Sequence, residues 1–339
     1  MNGRRKALAA VVLVAIGLTT GCTLPRPPGN EPLRYRDQIF NTVAVTSNLE
    51  YGTAPDANNQ PVALRLDLYQ PPASDTQTNR PALVWVHGGG FSGGDKTNTV
   101  PVDVGNTFAK LGYVVVSINY RLLAPPSCTG NPSQAVCTTA AFEAQHDAQA
   151  AVRWLRANAA TYKIDPNRIG IGGESAGAIT ATLVGLRSED VGSSGNPGFP
   201  STVGGFVSVS GGLPGGIFAS QGDAWGLFFH GTADGIVPFQ WSVQTSVEML
   251  KAGVAAWLQP QNGAGHVPWA QYKALYLEQA NYFLYLSLDL AHAAGQPVSA
   301  ARASERQLER LGNSPQAKRM LKRYPKLNHL QKRAGQLVR

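Results

Sequence analysis

Arg168-Ile169-Gly170-Ile171-Gly172-Gly173-Glu174-Ser175-Ala176-Gly177 is the stretch whose reading decides the fold. Its first five residues form an apolar, glycine-rich run that reads as a strand, and residues 173–177 form a Gly-x-Ser-x-Gly pentapeptide. Placed between a strand and a helix, that pentapeptide makes a sharp turn that exposes the serine hydroxyl at the strand's C-terminal end. The flanking glycines are a steric requirement, because side chains there would collide with the neighbouring helix and strand. In a chain of 339 residues with 37 glycines the pentapeptide alone is expected by chance roughly one time in four. A second motif upstream gives it weight. His87-Gly88-Gly89-Gly90-Phe91 also follows an apolar run, and its chance expectation is roughly one in a hundred.

Outward from the pentapeptide, the chain alternates strands and helices. Val62-Ala63-Leu64-Arg65-Leu66-Asp67-Leu68-Tyr69 has the period of two that suits an antiparallel strand. Later strands are continuous apolar runs at 82–86, 113–118, 169–171, 206–209 and 226–229, as expected of a parallel sheet buried on both faces. Helical patterns fall over 142–162, 175–186 and 268–288. The pattern predicts an α/β fold: a mostly parallel twisted sheet, helices on both faces and antiparallel N-terminal strands. About 250 residues, 39–295, suffice for one large catalytic domain.

The two ends read as separate segments. Arg4, Arg5 and Lys6, then the apolar stretch 7–18 and Thr19-Thr20-Gly21-Cys22, describe a secretory signal over 1–21. The apolar stretch is short for a span, which takes about 20 residues. Thr-Thr-Gly-Cys resembles the lipobox of bacterial lipoproteins, with Leu18 one place earlier than usual. That resemblance implies lipidation at Cys22, a membrane anchor, and an exported protein on the bacterial envelope; an ordinary cleaved signal and a secreted protein are the alternative. Residues 22–38 read as an extended linker rich in proline. With Cys22 acylated, Cys128 and Cys137 are left as an even pair in an oxidising compartment, and a disulfide between them is expected to pin the loop they bracket. At the other end, residues 301–339 hold eleven Lys and Arg against Glu305 and Glu309, a net of +9 within a chain total of +8. The basic character therefore belongs to a tail, 296–339, and not to the catalytic body. Such a tail is either solvated or a patch for anionic lipid or glycan. It lacks the interleaved aromatics of a base-stacking surface, which disfavours nucleic acid.

Ester hydrolysis at a serine requires a base, an orienter for the base, and donors for the oxyanion. Ser175 is the candidate nucleophile. Of the six histidines, His87 precedes the glycine run, His146 lies in a helical stretch, His230 ends a strand, His292 follows the last helix and His329 is in the tail. His266 remains, in the glycine-rich loop Gly263-Ala264-Gly265-His266, where the backbone is free to set an imidazole over the sheet edge. The orienting acid should follow a strand between serine and histidine, and Asp234, after Leu227-Phe228-Phe229-His230-Gly231, fits. The resulting order, Ser175, Asp234, His266, is that of α/β-hydrolases.

His87-Gly88-Gly89-Gly90-Phe91 with Gly94-Asp95-Lys96, Asn119-Tyr120-Arg121-Leu122, Gly173-Glu174-Ser175-Ala176-Gly177 and His230-Gly231-Thr232-Ala233-Asp234 together resemble carboxylesterases of the α/β-hydrolase superfamily, in the bacterial group with a His-Gly-Gly-Gly motif. The resemblance spans about residues 60–290. It implies an oxyanion hole made by the backbone N–H groups of Gly89, Gly90 and Ala176, and Glu174 as a modulator of the histidine. It also implies acyl transfer to Ser175 with no metal or cofactor, on a small-molecule ester. Ser175 and Asp234 are 59 positions apart, an interval with no room for a large lid, so esters with short acyl chains or a bulky alcohol are expected. An amidase or peptidase on the same fold, and a non-catalytic envelope-tethered binding protein, are the alternatives.

Overall fold

The structure, a computed structural model, describes residues 23–123, 135–215 and 219–293. Eight strands form one sheet in the order β1-β2-β4-β3-β5-β6-β7-β8. β1 (Ala44–Pro55) and β2 (Pro61–Gln70) pair antiparallel, and β2 pairs antiparallel with β4 (Val114–Ile118). From β4 onward every pairing is parallel, through β3 (Arg80–Val86), β5 (Ile164–Glu174), β6 (Gly205–Val209), β7 (Trp225–Gly231) and β8 (Ala256–Gln261). The expected α/β architecture is the one observed, antiparallel start included.

Alternation along the buried strands sends neighbouring residues to opposite faces. Ala82, Val84 and Val86 of β3 join one apolar layer with α2 (Ala135–Ala157), α4 (Ala176–Leu186) and α5 (Phe239–Lys251). Leu83 and Trp85 join the other, with α1 (Thr99–Leu111) and α6 (Trp269–Ser287). At ~1.5–3 kcal/mol for each large apolar side chain fully buried, these two layers are the main source of stability. The glycines of β5 follow from the same packing. Ile169 and Ile171 face α2 and α4, whereas a Cβ on Gly172 would lie 2.5 Å from the Trp85 ring and one on Gly170 2.8 Å from Leu284 of α6.

The sheet places the site. β3 connects to β4 on one side, and the chain then crosses back to put β5 on the other side of β3. Loops leaving the C-terminal ends of two such strands part in opposite directions and open a crevice between them. The glycine loop leaves β3 and Ser175 leaves β5 at that crevice.

Several boundaries differ from the sequence reading. The helical stretch 142–162 is two elements, α2 and α3 (Ala159–Tyr162), divided at Asn158, whose φ of −104° and ψ of 16° leave the helical region; Lys163, left-handed at φ 56°, ends the second. Residues 23–38, expected as a spacer, lie on the body. Leu24, Leu33 and Tyr35 are buried in the α6 layer, Gln279 of α6 donates to the Leu24 carbonyl, and Arg36 donates to the carbonyls of Pro27 and Gly29. Three apolar side chains too costly to leave in water override the extended habit of the prolines. Loop 192–200 turns away from the crevice: Asn196 donates to the Tyr51 carbonyl at 2.6 Å and Thr53 to that of Ser194 at 3.1 Å, which ties the loop to β1 at the sheet's edge. Among the described residues no helix is long and apolar enough to cross a membrane. The signal segment with Cys22, Cys128, and the basic tail lie outside the described residues; Cys137 is fully buried in the first turn of α2.

Candidate active site

Ser175 sits between β5 and α4 with φ 55° and ψ −120°, a region that a non-glycine residue enters only under constraint. The constraint is the packing of its glycines. A Cβ on Gly177 would lie 2.0 Å from the Val86 carbonyl oxygen, and one on Gly173 2.4 Å from the Gly177 carbonyl. The turn is thus pressed against the end of β3, closer than any side chain allows. Its backbone is fixed from both directions: the Ser175 N–H donates to Val209 of β6 at 2.9 Å, and its carbonyl accepts from Ala178 and Ile179 at 3.0 Å each. Ala176 is the first residue of α4, so its N–H belongs to those that a helix leaves free at its positive end.

The structure brings Ser175, His266 and Asp234 into one hydrogen-bonded line. Ser175 Oγ lies 2.8 Å from His266 Nε2, and His266 Nδ1 lies 2.8 Å from Asp234 Oδ2. His266 is the part-exposed member, while the Asp234 side chain is fully buried. Burial pushes the Asp234 carboxyl up, but hydrogen bonds from His230 and His266, then the Ile236 N–H, outweigh it and hold the group well below the usual carboxylate range. Oδ1 accepts from the N–H groups of Ile236 at 2.9 Å and Val237 at 3.0 Å. The loop bearing His266 is anchored one residue on, where the Val267 N–H donates to Ser210 Oγ at 2.9 Å.

The glycine loop runs beside this line. Gly89 has φ 124° and Gly90 φ 63°, and a Cβ on Gly89 would lie 2.0 Å from the Gly93 carbonyl oxygen, within a turn closed by the Gly93 N–H on the Gly89 carbonyl. Glu174 holds the loop from below. Its Oε1 accepts from the Gly88 N–H at 2.9 Å and its Oε2 from the Trp85 indole at 2.7 Å. The influence on the histidine expected of Glu174 has no direct hydrogen bond behind it: both ring nitrogens of His266 are taken by Ser175 and Asp234, and the Glu174 carboxyl lies beneath the glycine loop. Burial pushes that carboxyl up to about 8, against the pull of the Gly88 and Trp85 donors. The Gly88 N–H is thus engaged by Glu174 and is not free for another acceptor.

The other residues that carry the resemblance brace this loop. The Tyr120 ring stacks on His87 at 4.5 Å and its hydroxyl donates to the His87 carbonyl. Asn119 donates to Asp95 at 2.7 Å, and Lys96 pairs with buried Asp67 at 3.0 Å. Arg121 forms a two-pronged pair with Asp147 of α2. Sequence reasoning missed Trp85, Ser210 and the Glu174 contacts, since none of them belongs to a spacing pattern. A tryptophan with an indole N–H, buried two residues before the histidine of a glycine loop, was the available signal, because such an N–H takes a partner.

Residues 66–202 match the BD-FAE family. Among curated proteins, fumonisin B1 esterase of Sphingopyxis macrogoltabida is 39% identical over 109 residues, which are 31% of this chain and 19% of that protein. Phenmedipham hydrolase of Pseudarthrobacter oxydans is 37% identical over 128 residues, 38% of this chain and 24% of its own. The chain thus spans about a fifth to a quarter of the length of these relatives. Among solved structures, a truncated carbohydrate esterase from gut microbiota superposes with a TM-score of 0.59 at 22% identity, covering 74% of this chain and 98% of that one, a likeness of fold.

Proposed function

We propose that this chain is a serine carboxylesterase of the α/β-hydrolase superfamily, working through Ser175, His266 and Asp234. The observation that supports it most is the continuous line from Ser175 Oγ through the His266 ring to a buried, ionised Asp234, at 2.8 Å for each step. A serine hydroxyl is a weak nucleophile until a base takes its proton, and His266 Nε2 lies where that proton is. As the ester carbonyl is attacked, the proton passes to Nε2, and the charge on the imidazolium is balanced by Asp234 at Nδ1. The carbonyl oxygen becomes an oxyanion, for which the N–H groups of Gly89, Gly90 and Ala176 are the donors, each of this kind worth ~3 kcal/mol in the transition state. The alcohol leaves with the proton from Nε2. Water, deprotonated by the same nitrogen, then releases the acid and frees Ser175.

Small esters are the proposed substrates. The interval from Ser175 to Asp234 holds α4, β6 and β7, and among its described residues the loop 192–200 is tied to β1 at the sheet's edge, which leaves the crevice uncovered by that loop. Short acyl groups or bulky alcohols fit such an opening. The envelope placement, the lipid on Cys22, the Cys128–Cys137 disulfide and tail contact with anionic lipid or glycan stay with this proposal as its cellular part. The deciding experiment is a panel of p-nitrophenyl and alkyl esters, with p-nitroanilides alongside, run on the wild type and Ser175→Ala. Ester turnover that Ser175→Ala abolishes is expected. Anilide turnover at a matching rate would reassign the chain to the amidases, and an inert wild type would end the enzyme reading.

A further inference from the structure

His230 is fully buried at the end of β7 and belongs to no step above. Its ring is held on all sides. Nε2 faces Asp234 Oδ2 at 3.1 Å and the Val237 carbonyl at 3.0 Å. Nδ1 faces Ser242 Oγ at 2.7 Å and the Gly211 carbonyl at 3.1 Å, and the Ser242 hydroxyl donates to that same carbonyl. The Phe239 ring of α5 closes one side, edge-on at 5.7 Å. The charged or titratable groups that face it are Asp234 and, across that carboxylate, His266 from the loop after β8.

The proton on Nε2 follows from the partners. A carboxylate oxygen and a peptide carbonyl only accept, so a nitrogen between the two has to carry the hydrogen. That N–H points at Asp234 Oδ2, the oxygen that also accepts from His266 Nδ1. One carboxylate oxygen therefore serves two imidazoles, while Oδ1 is taken by the two N–H groups of its own loop. We propose that His230 is a positioning residue for the reaction: its Nε2–H clamps Asp234 Oδ2, fixes the carboxylate's rotation toward His266 and draws off part of the charge that His266 feels. This deepens the triad assignment above and rests on it.

Two consequences separate this role from mere packing. Without the clamp the carboxylate turns and the base is less well aligned, which costs kcat and leaves KM nearly alone. With one donor fewer, Asp234 also presents more charge to His266 and favours the imidazolium, so the acid limb of the pH–rate profile moves up. Gln, whose amide N–H reaches about as far as Nε2, restores the clamp; Leu fills similar space without it.

The test measures p-nitrophenyl acetate hydrolysis across pH for the wild type, H230L, H230Q and S242A, with folding followed by circular dichroism. H230L is expected to lose about tenfold in kcat with KM within about twofold, and its acid limb to rise by about half a pH unit. H230Q recovers most of the loss. S242A removes the nearer of the two partners of Nδ1, loosens the ring and shifts kcat and the limb in the same direction by a smaller amount. An H230L enzyme with wild-type kcat and limb overturns the inference, as does a loss that Gln does not recover with the limb unmoved. If H230L does not fold, H230Q and S242A decide by the same criteria, an unmoved limb in S242A counting against the clamp. A wild type that neither turns over ester nor takes a fluorophosphonate at Ser175 fails the proposed function instead, which keeps the two failures apart.

Discussion

On the β3–β5 side of Ser175 the site is built from backbone, and on the β6–β8 side from side chains. Gly89, Gly90, Gly173 and Gly177 hold the first side in shapes that a Cβ would forbid, two by positive φ and two by contact with neighbouring carbonyls. The second side presents Asp234 and His266 from loops, and what fixes them is a web of hydrogen bonds to Ser210, His230 and the Ile236 and Val237 N–H groups. Each side also buries one carboxylate, with opposite results. Asp234 collects enough donors to stay ionised, while Glu174, with two donors, is pushed up to about 8. Burial pushes both carboxyls up; the donors around Asp234 outweigh it, while the two donors of the more deeply buried Glu174 do not.

Removing the charge on the side-chain side has the largest expected effect. Asp234→Asn keeps the shape but offers an amide where His266 Nδ1–H needs an acceptor, so the imidazole loses the tautomer that leaves Nε2 free. A drop of about 10⁴ in kcat is expected, and the unfolding midpoint falls as well, because an amide cannot accept from all four donors that hold the carboxylate. Stopped assays on purified D234N, together with a urea curve, check it. Activity within tenfold of wild type would give the orienting role to another acid.

Breaking the backbone side comes next. Gly89→Ala sets a methyl 2.0 Å from the Gly93 carbonyl oxygen and asks alanine to hold φ 124°. The loop has to open, and the donors facing the oxyanion move with it. A loss of roughly 10²–10³ in kcat is expected, the range for one oxyanion donor. Labelling by a fluorophosphonate should slow in step. Unchanged kcat in G89A would remove Gly89 from the donors and leave the side to Gly90 and Ala176.

The same contrast governs what the sequence discloses. Steric demands are written as residue type, so Gly173, Gly177 and the run Gly88–Gly90 announce the elbow and the loop without any knowledge of their neighbours. Asp234 and His266 are legible only through order, since each follows a strand in a chain already read as α/β. Their braces are less legible. Ser210 and Ser242 act through contacts between distant segments, which no local pattern records, and His230, four residues before Asp234 in the same motif, shows its place in the sequence but not the oxygen that it holds. Glu174 shows the intermediate case: its place beside the nucleophile is plain, yet which of two neighbours its carboxyl serves depends on the turn at Ser175. The N-terminal residues 23–38 fail for another reason, because proline-rich composition states the local habit of the chain while Leu24, Leu33 and Tyr35 answer to a layer formed far downstream.

Glu174→Gln tests the smallest difference, that between one buried carboxyl and its neutral twin. Below about pH 8 Glu174 is protonated, and like Gln it then sets a hydrogen-bearing atom against one of its two donors. Above that pH the carboxylate satisfies both Gly88 and Trp85, at the cost of a buried charge. The sign of the pH dependence follows. A carboxyl raised in the folded state binds its proton more tightly there than in the unfolded chain, so its contribution is fully present below the unfolded value near 4.5 and is lost as pH rises to about 8. Wild type should therefore lose stability relative to E174Q across that window, by at most ~1.4 kcal/mol per pH unit, and the two should run parallel above it. Urea unfolding of both proteins at intervals from pH 5 to 9 reads this directly. Activity should move little, about threefold below wild type in E174Q at pH 9, where the ionised carboxylate grips both donors and Gln grips one. Parallel stability curves throughout would mean that Glu174 is ionised at every pH, held like Asp234, and the two sides of the site would then differ in their backbone alone.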